Sequence, residues 1–522
     1  MAKKIKVSSY EEYPFEVLNT YAGIDNIVTL DLLRKLRPHI FTQPKYMEYA
    51  GNTPSKVSAP SIWSEHQDVK MPALRFIVDM ETNGIKYDIT KNRVMDSLMR
   101  ERMAQLDDII YPAIGETPET INIDSGVDLS RLLYRKMGFT PTVFTKKNQP
   151  AVSGDALKAI HKEAGHDWLM KLAERNDISS VHSSFIATYI EDWVKRDGRI
   201  HPNYNLHGTS SHRISSDKPN LLNLPNPSHG FNVRDLYIVD DGYVFLTFDF
   251  SSCEVKVLAA MCKDENMLKA ILSGLDFHSY TASLMYGIPY DELRGVLESD
   301  SHPLKKEYKQ KRQNAKAVTF GILYGSSVGG IAANLEVSNQ EAQKIIDAYF
   351  KVYPRIQMFV NDSHKMAKDN HWVYTPFGQR KMEFGTLPCY RKTAVYNAAL
   401  RNSQNVRIQG PASTLGLMAF SKINDEIKKI GGRTICTVYD SVELQVPISK
   451  AAEAIEIGFY CMDDWPQKEF KWLDFPIGAD AEIGFTWGDI KTVHRGTTQA
   501  EAERILRGIN ERKYLDAISA EV

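Results

Sequence analysis

The sequence predicts an α+β fold, and three observations carry that prediction. Val244, Leu246 and Phe248 alternate with Phe245, Thr247 and Asp249 at the two-residue period of a β-strand, which ends on an acidic residue. TICTVYDSVELQV, residues 434–446, reads as two further strands about a tight turn at Asp440 and Ser441. Much of the remaining chain carries helical spacing, mainly over residues 91–193 and again from Val255 to about Val360.

From the N-terminus, Ile24, Val28, Leu32 and Leu36 recur at steps of four and mark a helix. GNTPSKVSAPS, residues 51–61, is rich in Gly, Pro and Ser, lacks an apolar period, and reads as a loop between two units. MPALRFIVDMETNGI, residues 71–85, places Leu74, Ile77 and Val78 on one helix face, and its Asn-Gly pair closes the helix because both residues tolerate a left-handed cap. Val255, Leu258, Ala259 and Cys262 form a helix directly after the Asp249 strand. TQAE, from Thr498, is a capping-box pattern that opens a polar C-terminal helix. No internal repeat is seen, which argues against solenoids and propellers.

The 522 residues are 43% hydrophobic and 25% charged, an ordinary soluble mixture long enough for more than one domain. Lys and Arg number 64 against 65 for Asp and Glu, so the formal net charge is -1 and any polyanion site has to be local. Cys253, Cys262, Cys389, Cys436 and Cys461 include no CxxC pair, which fits reduced thiols and a cytoplasmic location better than a disulfide frame or zinc site. No apolar run approaches the ~18 residues of a membrane span, and MAKKIK is not followed by the apolar stretch of a signal peptide. No membrane association is expected.

Three constellations carry chemistry. Asp249 ends a strand and Asp440 lies in a turn, so both can project from a sheet; two carboxylates in one cleft repel unless they share a proton or bind a cation, and hard oxygen ligands suit Mg²⁺. Alone, each is also an ordinary turn residue. Arg312, Lys316, Phe320 and Tyr324 recur every fourth residue and form one stripe on a helix. Its two cations suit a triphosphate and its two aromatics a base and sugar, although an amphipathic helix with core aromatics has the same pattern. Lys305, Lys306, Lys309 and Lys311 add positive charge upstream. Arg401, Asn405 and Gln409 repeat the spacing with polar donors, which suit the acceptors common to every base pair in the DNA minor groove.

These residues together resemble family A DNA polymerases, the type of bacterial DNA polymerase I and its phage relatives. FDFSSCEVKVLAA (248–260) resembles motif A of that family, RQNAKAVTFGILYG (312–325) its motif B, and TVYDSVE (437–443) its motif C. SHRISSDKPNLLNLP (211–225) resembles the segment before motif A, and GLDFHSYTAS (274–283) the segment after it. The match runs from about Met71 to Trp487.

The resemblance implies an α+β right-hand polymerase, with an antiparallel sheet in the palm and helical fingers and thumb, preceded by a partial exonuclease-domain remnant. It divides the chain into 1–70 (remnant plus linker), 71–200 (thumb), 201–265 (palm with motif A), 266–400 (fingers), 401–490 (palm with motif C) and 491–522 (helical tail). The implied activity is template-directed addition of deoxynucleotides to a primer 3′-hydroxyl with release of pyrophosphate, in phage or bacterial DNA replication; the implied partners are primer-template DNA and deoxynucleoside triphosphates. Asp249 and Asp440, with the backbone carbonyl of Phe250, are expected to hold two Mg²⁺ ions. Arg312, Lys316 and His278 are expected to cradle the phosphates, with Lys316 counted among the catalytic residues. Phe320 and Tyr324 flank the nascent base pair, and Arg213, Arg401, Asn405 and Gln409 touch the minor groove. Glu254 resembles the family's steric gate against a ribose 2′-hydroxyl, held by a hydrogen bond from Tyr324.

The chain also departs from the pattern. Motif C usually reads His-Asp-Glu, whereas Tyr439, Asp440 and Ser441 stand here; in motif A, Ser252 and Cys253 replace the usual Gln and Ile. NLPNPSHG lacks an Arg that many relatives carry after Pro225. Tyr21 and Asp25 fit the third exonuclease motif, YxxxD, but the first two motifs do not precede them; DME at Asp79–Glu81 follows YxxxD and reads as a decoy. The expectation is synthesis without proofreading by this chain alone, either because a separate exonuclease subunit docks onto residues 1–70 or because the chain is a fragment. The alternative function is a catalytically weak DNA-binding replisome subunit that needs such a partner. RNA synthesis is disfavoured by Glu254.

Overall fold

Val244, Phe245, Leu246 and Phe248 are all fully buried, so the strand they form is apolar on both faces and lies in the interior of a sheet instead of covering one side of it. The computed structural model describes residues 27–38, 41–42, 45–50, 53–58, 60–145, 149–209, 213–299, 301–378, 380–381 and 393–521. Tyr21, Ile24, Asp25 and Cys389, named above, lie outside these residues. The strands that matter here are β1 (Lys45–Ala50), β2 (Thr53–Ser58), β3 (Ile85–Tyr87), β4 (Arg199–Ile200), β5 (Tyr237–Ile238), β6 (Tyr243–Phe250), β7 (Arg433–Val438), β8 (Ser441–Pro447), β9 (Ala479–Thr486) and β10 (Asp489–Val493). An eight-stranded sheet has the order β7-β8-β6-β9-β5-β3-β4, with β10 beside β9. Every pairing in it is antiparallel.

Helices cover the two faces of this sheet. The main ones are α1 (27–38), α2 (Met71–Asn83), α3 (Ile89–Ile114), α4 (Trp168–Phe185), α5 (Cys253–Cys262), α6 (Phe277–Tyr286), α7 (Lys305–Leu323), α8 (Ala394–Lys429), α9 (Ala451–Phe459), α10 (Gln499–Ile509) and α11 (Glu511–Glu521). Val244, Leu246 and Phe248 join a core with α2, α5, α7, α8 and α9, while Phe245 joins a second core with α3, α4 and Trp487. The central strand thus divides two hydrophobic masses, one under α2 and the helices that follow the strand, the other under α3 and α4, which precede it. No helix among the described residues is long and apolar enough to cross a membrane.

Several local expectations change. In α2 the buried residues are Ala73, Phe76, Ile77 and Met80, while Leu74 and Val78 are 46% and 52% exposed. The buried face is set by what packs against it, here α8 and β7; β3, next in the chain, joins the sheet, with Ile85 and Tyr87 in the second core. Gly84 does end α2 at φ 58°, and a side chain there would meet the His201 ring at 2.7 Å. Residues 53–58, expected in a loop, pair as β2 with β1, because a hairpin ladder is made by backbone groups and needs no apolar period. α1 forms where Val28, Leu32 and Leu36 predicted it, with those side chains exposed. The two-residue turn after β7 consists of Tyr439 and Asp440, one residue earlier than expected; Ser441 is drawn into the ladder, opposite Val438 on one side and Asp249 on the other. Thr498 caps α10 through its hydroxyl, but Ala502, Leu506 and Tyr514 of the tail are buried, so the tail is part of the core.

Candidate active site

β6 delivers Asp249 to the open end of the sheet, where it lies in register between Ser441 of β8 and Asp480 of β9. The Phe250 amide donates to the Asp440 carbonyl at 3.2 Å, tying the strand end to the neighbouring turn. Two non-glycine residues near these carboxylates have left-handed backbones: Ser252 at φ 56°, where the strand gives way to α5, and Tyr439 at φ 58°. Such conformations are costly for residues with a Cβ and concentrate where a fold holds a particular geometry.

The electrostatics of this end are unbalanced. Both Asp249 and Asp440 are exposed to solvent, yet enough protein surrounds them to disfavour charge. The Asp249 carboxyl is pushed up to about 7, first by desolvation and then by the charges of Asp440 and Asp480. Desolvation also raises Asp440, against the opposing charge of Arg213. Among the described residues no three acidic, histidine or cysteine side chains gather closely enough to hold a cation by themselves. Two crowded carboxylates nonetheless fit a hard divalent cation such as Mg²⁺, which commonly takes one or two carboxylates and fills its other positions with water and substrate phosphate.

α7 carries the cationic stripe. Arg312 is gripped by Asp276, with Nε to Oδ1 and Nη2 to Oδ2 both at 3.0 Å, and its Nε also lies 3.2 Å from the Ser279 hydroxyl. Burial would raise the Asp276 carboxyl, but Arg312 and Ser279 hold it well below the usual carboxylate range. His278 on α6 is brought down to about 4 by burial, with Arg312 and Lys316 adding to the effect, so it is neutral at pH 7; its Nδ1 is buried without a partner. Its ring lies 5.5 Å from that of Phe320, and Phe320 stacks on Tyr324 at 5.8 Å and 16°. Lys316 is exposed, with its ammonium 5.9 Å from the Phe320 ring centre. Gly325, at φ 66°, lets the end of this helix approach α8 so closely that a Cβ would lie 2.7 Å from the Arg401 carbonyl.

Glu254, in the first turn of α5, joins the two halves. It accepts from Arg213 Nη2 at 2.5 Å and is hydrogen-bonded to Tyr324. Burial raises the Glu254 carboxyl, while Arg213 and Tyr324 act to lower it; the Tyr324 hydroxyl is itself pushed up to about 12 by burial and by Glu254. Of the polar stripe on α8, Arg401 and Asn405 are half-buried, whereas Gln409 is only 7% exposed. The stripe expected to be open along its length therefore reaches solvent at two of its three positions. Asn405 Oδ1 is buried without a hydrogen-bond partner.

Three residues escaped the sequence reading. Asp480 is brought opposite Asp249 by the β6-β9 register, and Glu443 is placed in the next row of the same face, opposite Thr247. Glu443 is 1% exposed, accepts from the Ser441 hydroxyl at 2.7 Å, and leaves its second oxygen without a partner. Asp276 and Glu443 each stood within a quoted motif but had no role. The alternation of acidic and apolar residues in ADAEIGF was a visible signal for Asp480; nothing local pointed to Asp276 or Glu443.

A curled antiparallel sheet ending in paired carboxylates, joined through Glu254 and Tyr324 to a helix that presents cations and then aromatics, defines the right-hand class of nucleic-acid polymerases. Within that class, the chain belongs to DNA polymerase family A, whose profile matches residues 90–489. It is 26% identical over 498 residues to DNA polymerase I of Chloroflexus aurantiacus, covering 94% of this chain and 48% of the relative. It is 30% identical over 433 residues to DNA polymerase I of Streptococcus pneumoniae, covering 81% and 46%. The chain spans about half the length of the curated relatives it matches. Among solved structures, the POL domain of Pol1 from M. smegmatis, in complex with DNA primer-template and dNTP, superposes with a TM-score of 0.72 at 25% identity, covering 81% of this chain and 71% of that one.

Proposed function

We propose that this chain carries out template-directed DNA synthesis, extending a primer 3′-hydroxyl with deoxynucleoside triphosphates and releasing pyrophosphate. The observation that carries the reading is the Asp249-Asp440 pair, where burial and then the neighbouring acid charges push the Asp249 carboxyl up to about 7, beside Glu254, which is hydrogen-bonded to Tyr324 at the end of the helix of Arg312 and Lys316. Asp249 and Asp440, with the Phe250 carbonyl, would hold two Mg²⁺ ions, which when bound supply a more acidic primer 3′-hydroxyl and a counter-charge for the leaving pyrophosphate.

The chain's own residues do the remaining work. Arg312 offers the guanidinium hydrogens not engaged by Asp276, neutral His278 offers a ring N–H, and Lys316, which has no ion pair among the described residues, offers a mobile charge to the triphosphate. Phe320 and Tyr324 present a stacked pair of rings to the incoming base pair. Arg213, Arg401 and Asn405 offer donors to the minor groove, and Gln409, 7% exposed, lies at the buried end of that stripe. Glu254 stands where a ribose 2′-hydroxyl would need room, which favours deoxynucleotides.

We also read the chain as lacking proofreading by itself. Asp79 accepts from Asn424 at 2.7 Å and pairs with Lys428, and Glu81 accepts from the Tyr204 amide at 2.5 Å, so both acids of DME serve as structural ties. Primer extension by wild type against Asp440→Ala tests the main reading. Extension by wild type and a loss of about 10³-fold or more in the variant are expected; DNA binding without extension by wild type would leave only the non-catalytic replisome subunit.

A further inference from the structure

Tyr439 is an unexpected residue in an expensive place. It occupies a two-residue turn at φ 58°, a conformation that glycine adopts freely and a bulky aromatic does not, and its side chain remains 41% exposed. Neither local propensity nor burial accounts for a tyrosine there. What the ring does touch is Arg213, whose guanidinium carbon lies over it, 5.3 Å from the ring centre. The same guanidinium donates to Glu254, and Glu254 is hydrogen-bonded to Tyr324 at the end of α7. A continuous set of contacts therefore runs from the turn that holds Asp440, through the face and then the edge of one guanidinium, to Glu254.

The geometry of a guanidinium gives this arrangement a consequence. It is flat, stacks on aromatic faces, and carries donors in a fixed fork. With the face resting on Tyr439, the donors are confined to the plane of the stack, and there Nη2 meets Glu254. Without the ring, Arg213 regains rotamers on a long flexible stem, and Glu254 loses its fixed cationic partner while keeping Tyr324. We propose that Tyr439 is a specificity-determining residue that clamps Arg213, and through it holds Glu254 across the space of a ribose 2′-hydroxyl. This rests on the reading of Glu254 as the sugar gate.

The test is the ratio of kcat/KM for a deoxynucleotide to that for the matching ribonucleotide, measured on the full chain as wild type, Glu254→Ala, Tyr439→Phe and Tyr439→Gly. Glycine suits the positive φ, so Tyr439→Gly removes the ring and spares the turn. The expected result is a selectivity in Tyr439→Gly about three- to tenfold below wild type, in the range of a partly desolvated cation–π contact. Tyr439→Phe, which keeps the ring, stays within about twofold. A merely structural role would scale both kcat/KM values together and leave their ratio unchanged, and that outcome overturns the proposal. Equal losses in Tyr439→Phe and Tyr439→Gly also overturn it, since the hydroxyl and not the stacked face would then be responsible. If Glu254→Ala lowers selectivity while Tyr439→Gly does not, the gate stands and the clamp falls; if Glu254→Ala leaves selectivity unchanged, both fall.

Discussion

In the palm, Asp249 stands in the field of Asp440 and Asp480, and the nearby Arg213 is already committed to Glu254; in the fingers, Arg312 is gripped at two points by Asp276. The two halves of the site thus treat charge in opposite ways. Burial, with the like charges of Asp440 and Asp480 adding to it, raises the Asp249 carboxyl to about 7, so on the proposed reading the palm would gain by taking up a cation. The fingers hold a guanidinium that is neutralised and oriented in advance, so on the proposed reading a triphosphate would meet a fork whose direction is fixed. On the proposed reading, the charge state of the palm would change when a cation arrives, while the Arg312 fork is already oriented. Loss of a palm carboxylate should therefore appear in kcat, and loss of a fingers contact chiefly in KM.

The largest effect is expected from Asp249→Asn, which keeps the shape of the side chain and removes its charge: a fall in kcat of about 10³-fold, with KM for the nucleotide changed little. A comparable rise in KM would erase the distinction between the halves. Arg312→Ala should raise KM by about ten- to a hundredfold, the worth of charge-assisted hydrogen bonds, with a smaller change in kcat.

The pH dependence of the cation requirement sharpens the palm side. A proton and a divalent cation compete for Asp249, and with its carboxyl at about 7 the protonated form dominates below that pH. Apparent Mg²⁺ affinity, read from activity against Mg²⁺ concentration, should fall about tenfold for each pH unit below 7 and level off above 8. A flat profile between pH 6 and 8 would show that Asp249 is ionised without help. Asp276→Asn probes the fingers side. It removes the charge that orients Arg312 but leaves an amide oxygen to accept from it, so KM should rise by about three- to tenfold. A lower KM would mean that Asp276 competes with the triphosphate instead of aiming the fork.

The same contrast explains what could be read from the sequence. Asp249, Glu254, Arg312, Lys316, Phe320 and Tyr324 were legible because strand alternation and a four-residue helical step are local properties, and because their motifs occur in order. The neighbours that tune them were not. Asp480 reaches Asp249 only through the β6-β9 register, and Asp276 reaches Arg312 only because α6 packs on α7. The turn at Tyr439 was misplaced by one residue for a related reason: the ladder with β6, far away in sequence, decides that Ser441 belongs to a strand. The buried face of α2 was misjudged at Leu74 and Val78 because spacing fixes that a face exists, while the packing partner chooses which one.

Glu443→Gln should have the smallest effect on activity and tests whether every palm carboxylate belongs to the unbalanced set. Glu443 is 1% exposed, and burial, with the Asp249 charge adding to it, pushes its carboxyl up to about 7. An unfolded chain would ionise it near ~4.3, so between these values the folded state holds a proton that the unfolded state has lost. Its contribution to stability is therefore fully present below ~4.3 and is lost as pH rises through about 7. The loss amounts to at most about 4 kcal/mol by pH 8. Glutamine cannot ionise and keeps an oxygen to accept from the Ser441 hydroxyl, so the variant should match wild type in thermal stability near pH 4 and exceed it at pH 8. Its activity at pH 8 should lie within about twofold of wild type, because the amide preserves the link to Ser441 opposite Asp249. If instead kcat fell as far as in Asp249→Asn, Glu443 would have to be counted with Asp249 and Asp440, and the palm would act through three carboxylates.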